Sequence, residues 1–195
     1  MSKDRLTEQL AFLAEIDGLK TVVRQSPLAD RSRRENSAEH SWHLAMFALV
    51  LADDEAVDTA RVIKLLLVHD IVEIDAGDAP IHGNHDSGGV AAREHAAAER
   101  LFGLLPDDQA LRLKALWHEF EAAETPEARF AKALDRLQPL LLNTLTGGGT
   151  WTENGVLEQQ VHERYGPTIE RGSPALWQRA RALVKQHFHQ TSRDE

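Results

Sequence analysis

One stretch of the chain combines an apolar run with several ionisable side chains, and it constrains the fold more than any other segment. Leu65-Leu66-Leu67-Val68 leads directly into His69-Asp70, and Glu73 follows one helical turn later. An unpaired carboxylate or imidazole on a buried helix face is costly, so such groups are normally neutralised by a partner or a metal. The spacing predicts a helix from about Thr59 to Ile74 that supplies part of a metal site, with Gly77 near its end.

Apolar residues recur at helical spacing along most of the chain, which predicts an all-α fold. Asn36 or Ser37 is a predicted N-cap, with Glu39 in the first turn of the helix that follows. Thr125-Pro126 is predicted to cap another helix. We find no internal repeat and no alternating strand pattern in the sequence.

The basic, irregular residues 20–36, which include Pro27, are predicted to form a connecting loop. Two helices are predicted near 153–165 and 174–189. The length of 195 residues predicts one domain, a compact multi-helix bundle with a core at about 10–145 and C-terminal helices at about 150–190.

The bulk composition excludes several classes of function. The formal net charge of −9 disfavours a polynucleotide partner, because nucleic-acid binding depends on neutralising phosphates. The N-terminus lacks the apolar core of a signal peptide, and the longest clean apolar run, Leu44 to Ala52, is too short to span a membrane. We therefore expect a cytoplasmic protein without a membrane partner.

Three predicted helices each place ionisable groups on an apolar face: His40 on one, the His69-Asp70 pair on the next, and Asp135 on a third. Taken singly, each could be a hydrogen-bonded core residue. Together they form a sulfur-free set of two imidazoles and two carboxylates in a chain without cysteine. This donor set favours one divalent transition metal (Mn, Co, Fe, Ni or Zn) over Ca.

Two polar loops are further candidates. Arginines cluster in residues 20–36, either as ordinary solvated side chains or as an anion-binding rim that includes Arg34. Residues 79–89 are rich in glycine and polar side chains, which favours a mobile flap over the site. His82 and His85 in this loop are a weaker suggestion of a second metal site.

Two extended motifs narrow the interpretation. They are Glu35-Asn36-Ser37-Ala38-Glu39-His40-Ser41 and the His69-Asp70-x-x-Glu73-x-x-x-Gly77-Asp78 stretch, with Asp135 downstream. In this order they resemble the HD-domain metal-dependent phosphohydrolase superfamily, and in particular the branch that contains 5'-deoxynucleotidases and HD-domain-containing protein 2. The resemblance covers about residues 10–145.

The resemblance implies roles for individual residues. His40, His69, Asp70 and Asp135 would hold the metal, Glu73 would position or deprotonate the attacking water, and Asp78 would contact the substrate sugar or assist catalysis. The nucleotidases use an Arg-Trp pair ahead of the first motif to bind phosphate and substrate. Here the corresponding residues are Arg24-Gln25, so the arginine is kept and the tryptophan is not.

These features predict an enzyme that releases phosphate from a nucleoside 5'-monophosphate, including deoxynucleotides, or from a similar small phosphomonoester. A pyrophosphohydrolase acting on nucleotide di- or triphosphates would use the same metal set. A non-catalytic nucleotide-binding sensor is a further alternative, although it would typically lack Glu73 or a metal ligand. The tryptophan-bearing C-terminal region suggests a surface for a homodimer.

Overall fold

The structure is a computed structural model, and it describes residues 4–53, 55–83 and 87–194. Ten α-helices, two 3₁₀ segments and one small sheet make up the described residues. In chain order the elements are α1 (Arg5–Glu15), a 3₁₀ helix (Ile16–Thr21), β1 (Val23–Pro27), β2 (Arg34–Asn36), α2 (Ser37–Leu51), α3 (Thr59–Val68), a second 3₁₀ helix (His69–Val72), α4 (Glu73–Ala76), α5 (Ser87–Phe102), α6 (Asp107–Ala122), α7 (Pro126–Leu145), α8 (Thr150–Glu153), α9 (Glu158–Gly172) and α10 (Pro174–Asp194). The all-α prediction is confirmed.

Both predicted helix caps are present. The Asn36 side chain accepts from the backbone N–H of Glu39 at 2.9 Å, and Glu39 Oε2 accepts from the N–H of Asn36 at 3.1 Å. This capping box fixes the start of α2, and a cap of this kind is typically worth about 1 kcal/mol. Thr125 caps α7 through the N–H of Ala128, with Pro126 in the first turn.

The helix predicted from Thr59 to Ile74 is wrong as a single element. α3 ends at Val68, a 3₁₀ turn covers His69–Val72, and α4 follows. Over four residues, periods of 3.0 and 3.6 leave almost the same apolar pattern, so the sequence does not reveal the change. Gly77 ends this region as predicted, with a φ of 77° that L side chains rarely adopt.

The loop predicted for residues 20–36 is also partly wrong, because it contains an antiparallel hairpin. Val23 is opposite Asn36, and Pro27 is opposite Arg34. The strand β1 turns Arg24 and Ser26 inward and leaves Val23 and Gln25 exposed. Since the inward residues are polar, the hairpin has none of the apolar alternation by which strands are recognised.

The C-terminal helices share the main hydrophobic core with the rest of the bundle. Trp151, Val161 and Ile169 pack in the same cluster as Leu44, Leu65 and Leu134. A smaller cluster joins α1, α5 and α6 around Phe102 and Trp117. α9 continues through Pro167 to Gly172, whereas the prediction ended that helix near residue 165.

None of the helices in the described ranges has both the length and the apolar content that crossing a membrane requires.

Candidate metal centre

Three of the four predicted metal ligands converge at one buried point. His40 lies on α2, His69 opens the second 3₁₀ turn, and Asp135 lies on α7. One ligand atom from each lies within 4.8 Å of the other two. His40 Nε2 is 3.0 Å from Asp135 Oδ1, and His69 Nε2 is 3.7 Å from the same oxygen.

The second nitrogen of each imidazole is fixed by an acceptor. His69 Nδ1 donates to the carbonyl oxygen of Leu66 at 2.7 Å, and His40 Nδ1 donates to Gln138 Oε1 at 3.1 Å. Gln138 is held in this orientation because its amide nitrogen donates to Glu35 Oε2 at 2.8 Å. With Nδ1 as the donor, the Nε2 atom of each ring faces the carboxylates, which is the arrangement of metal-binding histidines.

A lone pair that faces a carboxylate oxygen requires a proton or a cation between them. His69 Nε2 is buried and has no hydrogen-bond partner within the described residues. Burial opposes the charged imidazolium, but the negative charges of Asp70 and Asp135 outweigh it and raise the pKa of His69 to about 10. This nitrogen, oxygen and charge pattern fits a divalent metal ion.

Asp70, the fourth predicted ligand, contacts His69. Its Oδ1 is 2.9 Å from His69 Nε2, while its Oδ2 accepts from Arg24 Nη1 at 3.2 Å. It is not part of the set whose atoms are all within 4.8 Å of one another. Burial raises the pKa of Asp70, but the charge and hydrogen bond of His69 together with the charges of Arg24 and His40 outweigh burial and lower it.

Arg24 is the main positive charge of the site. Strand β1 carries it inward, where Nη1 lies 3.2 Å from Asp78 Oδ1 and 3.7 Å from Glu73 Oε1, and Nε lies 3.4 Å from Glu35 Oε1. Only 12% of its side chain is exposed. With Arg136 near Asp135, two arginines face five carboxylates, which leaves the site short of positive charge.

Glu73 and Asp78 lie beside the metal ligands in one cavity. Glu73 is buried, and its Oε2 accepts from the Ser37 hydroxyl at 2.6 Å. Burial and the nearby charge of Asp70 raise the pKa of Glu73 to about 8. Burial likewise raises the pKa of Asp78, against the opposing charge of Arg24.

This metal cavity has a volume of about 200 Å³. Its walls include charged residues of α5, α6 and α7, among them Glu94, Glu121, Lys132 and Arg136.

The structure does not bring Arg34 to the cluster. Its guanidinium pairs with Glu153 Oε2 at 2.8 Å on the surface and also donates to the backbone oxygen of Gln25. Arg33 pairs with Glu39 at 2.5 Å. Gln25 lines a polar recess that adjoins the metal cavity.

The polar recess shares Arg24, Asp78, Ala79 and Arg136 with the metal cavity. Its other polar side chains are neutral: Gln25, Ser26, His82, Asn143, Thr150, Asn154 and Tyr165. Burial and the charge of Arg164 lower the pKa of His82 to about 4. The ring of His82 packs against the ring of Tyr165, and His82 is not part of the cluster of predicted metal ligands. His85 lies outside the described residues.

Sequence reasoning missed the residues that support the ligands. Ser37 was read only as a helix cap, although its hydroxyl bonds Glu73. Gln138 lies three residues after Asp135 and so shares its helix face, which is the one available signal. Glu35 is only 2% exposed in spite of its charge, which the sequence does not show.

Comparison with known proteins shows which family the chain belongs to. The profile of the HD domain matches residues 16–177. The chain belongs to the HD-domain family. The motif-based resemblance is therefore confirmed, and the match extends beyond residue 145 into the C-terminal helices.

HD-domain relatives are similar over much of the chain. Human 5'-deoxynucleotidase HDDC2 is 33% identical over 133 residues, which cover 68% of this chain and 65% of that protein. Fission yeast 5'-deoxynucleotidase hdd1 is 30% identical over 132 residues, covering 65% of this chain and 66% of the relative. The matched segment thus spans slightly less than two thirds of these relatives.

A solved structure matches nearly the whole fold. It is a predicted metal-dependent phosphohydrolase from Magnetospirillum magnetotacticum MS-1, with a TM-score of 0.88 and 56% identity. The match covers 95% of this chain and 96% of that one.

Proposed function

We propose that this protein is a metal-dependent phosphohydrolase that releases phosphate from nucleoside 5'-monophosphates, including 2'-deoxynucleotides. The observation that carries the proposal is the convergence of two oriented imidazoles and Asp135 next to Glu73. The names of the relatives, 5'-deoxynucleotidases in animals and yeast, support the substrate class.

His40, His69, Asp70 and Asp135 would hold one divalent transition metal, of the group Mn, Co, Fe, Ni and Zn. When bound, such an ion supplies Lewis-acid chemistry toward a phosphate oxygen and lowers the pKa of water. The deficit of positive charge around Arg24 supports binding of a cation here.

Glu73 is the proposed general base. Ser37 occupies its Oε2, which leaves Oε1 to take the proton from the attacking water. A carboxylate with a pKa near neutral can both accept and return a proton under physiological conditions. Burial by the surrounding helices keeps bulk water from competing for this atom.

Arg24 is the proposed phosphate contact. Its guanidinium is held by four carboxylates, so it is already aligned when a substrate arrives and pays little ordering entropy. Charge compensation of this type is the main protein contribution to phosphoryl transfer. Asp78 would contact the sugar, and its position at the border of the metal cavity and the polar recess supports this role.

The polar recess is the proposed location of the nucleoside part of the substrate. Its neutral polar side chains suit an uncharged sugar and base, while the shared Arg24 and Arg136 suit the phosphate. Gln25, at the position of the nucleotidase tryptophan, offers an amide instead of a stacking ring. We therefore expect selectivity between ribose and deoxyribose to depend on Gln25.

A phosphate-release screen tests the proposal. Nucleoside mono-, di- and triphosphates are incubated with the protein and each of the five metals, and free phosphate and pyrophosphate are measured separately. We expect phosphate from monophosphates. Pyrophosphate from triphosphates would instead indicate the pyrophosphohydrolase. Nucleotide binding without any turnover, in a protein that contains its metal, would favour the sensor.

The homodimer and the cytoplasmic location stay predictions, and sedimentation velocity on the purified chain would decide the first.

A further inference from the structure

A second charged cavity lies where α7 packs against α9, beside the end of α6. Its volume is about 250 Å³, and its lining residues are Ala123, Arg129, Lys132, Pro167, Thr168 and Arg171. Three of the six carry a positive charge, and no carboxylate of the described chain lines it. In a protein with a net charge of −9, a cavity with this lining is unexpected.

The described residues balance only part of the positive charge of this cationic cavity. Lys132 Nζ lies 2.9 Å from Glu121 Oε1, so its charge is partly compensated. Arg129 and Arg171 form no ion pair with any residue that the structure describes. Arg129 Nε is buried without an acceptor there, and an unsatisfied buried donor destabilises the protein unless a ligand supplies the acceptor.

Helix packing holds these side chains together. A Cβ at Gly172 would collide with the carbonyl oxygen of Arg129 and with Ala133, so glycine permits α9 to approach α7 this closely. This contact places Arg171 next to Arg129. Arg129 and Lys132 are three residues apart on α7 and therefore point to the same side.

We propose that the cationic cavity binds a phosphate group, either as inorganic phosphate or as part of a small phosphorylated molecule. Arginine presents a planar fork of donors that matches phosphate oxygens, and the Thr168 hydroxyl adds a neutral donor. A bound phosphate oxygen would also satisfy Arg129 Nε. Lys132 lines this cavity and the metal cavity, so the two sites are neighbours.

The proposal is independent of the reaction at the metal cavity, and a binding measurement tests it. Inorganic phosphate is titrated by calorimetry into full-length protein that carries Arg24→Gln, so that the proposed phosphate contact of the metal cavity is missing and the remaining binding reports on the cationic cavity. We expect Arg129→Gln with Arg171→Gln, added to this background, to raise the Kd for phosphate roughly tenfold or more. Circular dichroism and the melting temperature check that the variant is folded.

A matched control removes the same charge elsewhere. Arg179→Gln with Arg181→Gln, which changes two exposed arginines of α10 outside the cationic cavity, should leave the Kd for phosphate unchanged. An unchanged Kd in the cavity variant, or an equal weakening in the control, would overturn the proposal.

Titration with a nucleoside monophosphate in the same background distinguishes the two sources of the phosphate group. Tighter binding than inorganic phosphate, lost with Arg129 and Arg171, identifies a nucleotide. Equal binding that depends on the same arginines identifies phosphate itself.

Discussion

The metal cavity and the cationic cavity share Lys132 but have opposite charge. In the first, five carboxylates surround Arg24 and Arg136, whereas in the second Arg129 and Arg171 have no acidic partner in the described chain. The overall charge of −9 predicts neither arrangement. The difference shows that the sign of the expected ligand charge follows from the local imbalance of charged side chains and not from the net charge of the chain.

The largest effect on activity should come from a substitution in the metal cavity, the more acidic of the two sites. Asp135→Asn keeps the shape of the side chain but removes the carboxylate that both imidazoles face. We expect loss of bound metal and a fall in kcat on the order of 1,000-fold. Elemental analysis and phosphate release measure the two effects.

Asp108→Asn is the control for this variant, because it removes an exposed carboxylate that pairs only with Arg5 at the surface. Equal metal content in Asp135→Asn and the parent protein would contradict the ligand assignment. Phosphate binding in the cationic cavity should survive in Asp135→Asn.

Glu73→Gln should separate catalysis from metal binding. Because Glu73 is placed to take a proton and is not part of the convergent ligand set, metal content should stay constant while kcat falls roughly 100-fold or more. Steady-state phosphate release at saturating substrate is the measurement. Unchanged turnover would remove Glu73 from its proposed role.

Gln138→Leu tests the support of the ligands. The substitution removes the acceptor that fixes His40 Nδ1 and leaves Glu35 without its amide donor. Metal affinity should weaken roughly 10- to 100-fold, as expected when an outer partner of a histidine ligand is lost. Competition with a chelator gives the Kd.

Gln109→Leu, which breaks a partly buried amide pair with Gln9 away from the metal cavity, serves as the control for Gln138→Leu and should leave metal affinity intact. A metal Kd for Gln138→Leu equal to that of the control would show that Gln138 does not position His40.

The smallest predicted effect is a pH dependence of stability in metal-stripped protein. The pKa of His69 is raised to about 10 in the folded protein. Its contribution to folding stability is therefore complete below the pKa of the unfolded chain, near 6.5, and disappears as the pH rises toward 10. Glu73 acts in the same direction, since its raised pKa of about 8 also means that the folded state binds more protons. The melting temperature should therefore fall between pH 6.5 and 9.

Loaded metal should flatten this pH dependence, because the cation replaces the proton among the same side chains. Scanning calorimetry of stripped and loaded protein compares the two slopes. A stripped protein whose stability rises over this pH range would contradict the assignment of charge in the cluster.

The sequence predicted much of the framework and much of the site. The helical class follows from apolar spacing, and the caps at Asn36 and Thr125 follow from residues whose side chains bond free helix N–H groups. His40, His69 and Asp135 were recognisable because ionisable groups on apolar faces require partners. Helix spacing, helix caps and sequence motifs all depend on residues that are close together along the chain or occur in a fixed order.

The hairpin at residues 23–36 and the 3₁₀ turn at His69 escaped the sequence because neither leaves a distinctive apolar period. The tertiary structure also decided which charges meet. It turned Arg24 toward four carboxylates and left Arg34 on the surface, although the two arginines look equivalent in the sequence.

Periodicity and motif are encoded along the chain, so the sequence was enough to predict the helical bundle, the family and the convergence of His40, His69 and Asp135. Which distant side chains meet depended on the tertiary structure, as shown by the hydrogen bond of Ser37 to Glu73 and by the cavity that Arg129 and Arg171 both line. Such pairs lie 36 or more residues apart, and the distances between them are set by how helices pack, as the contact of Gly172 with Arg129 illustrates.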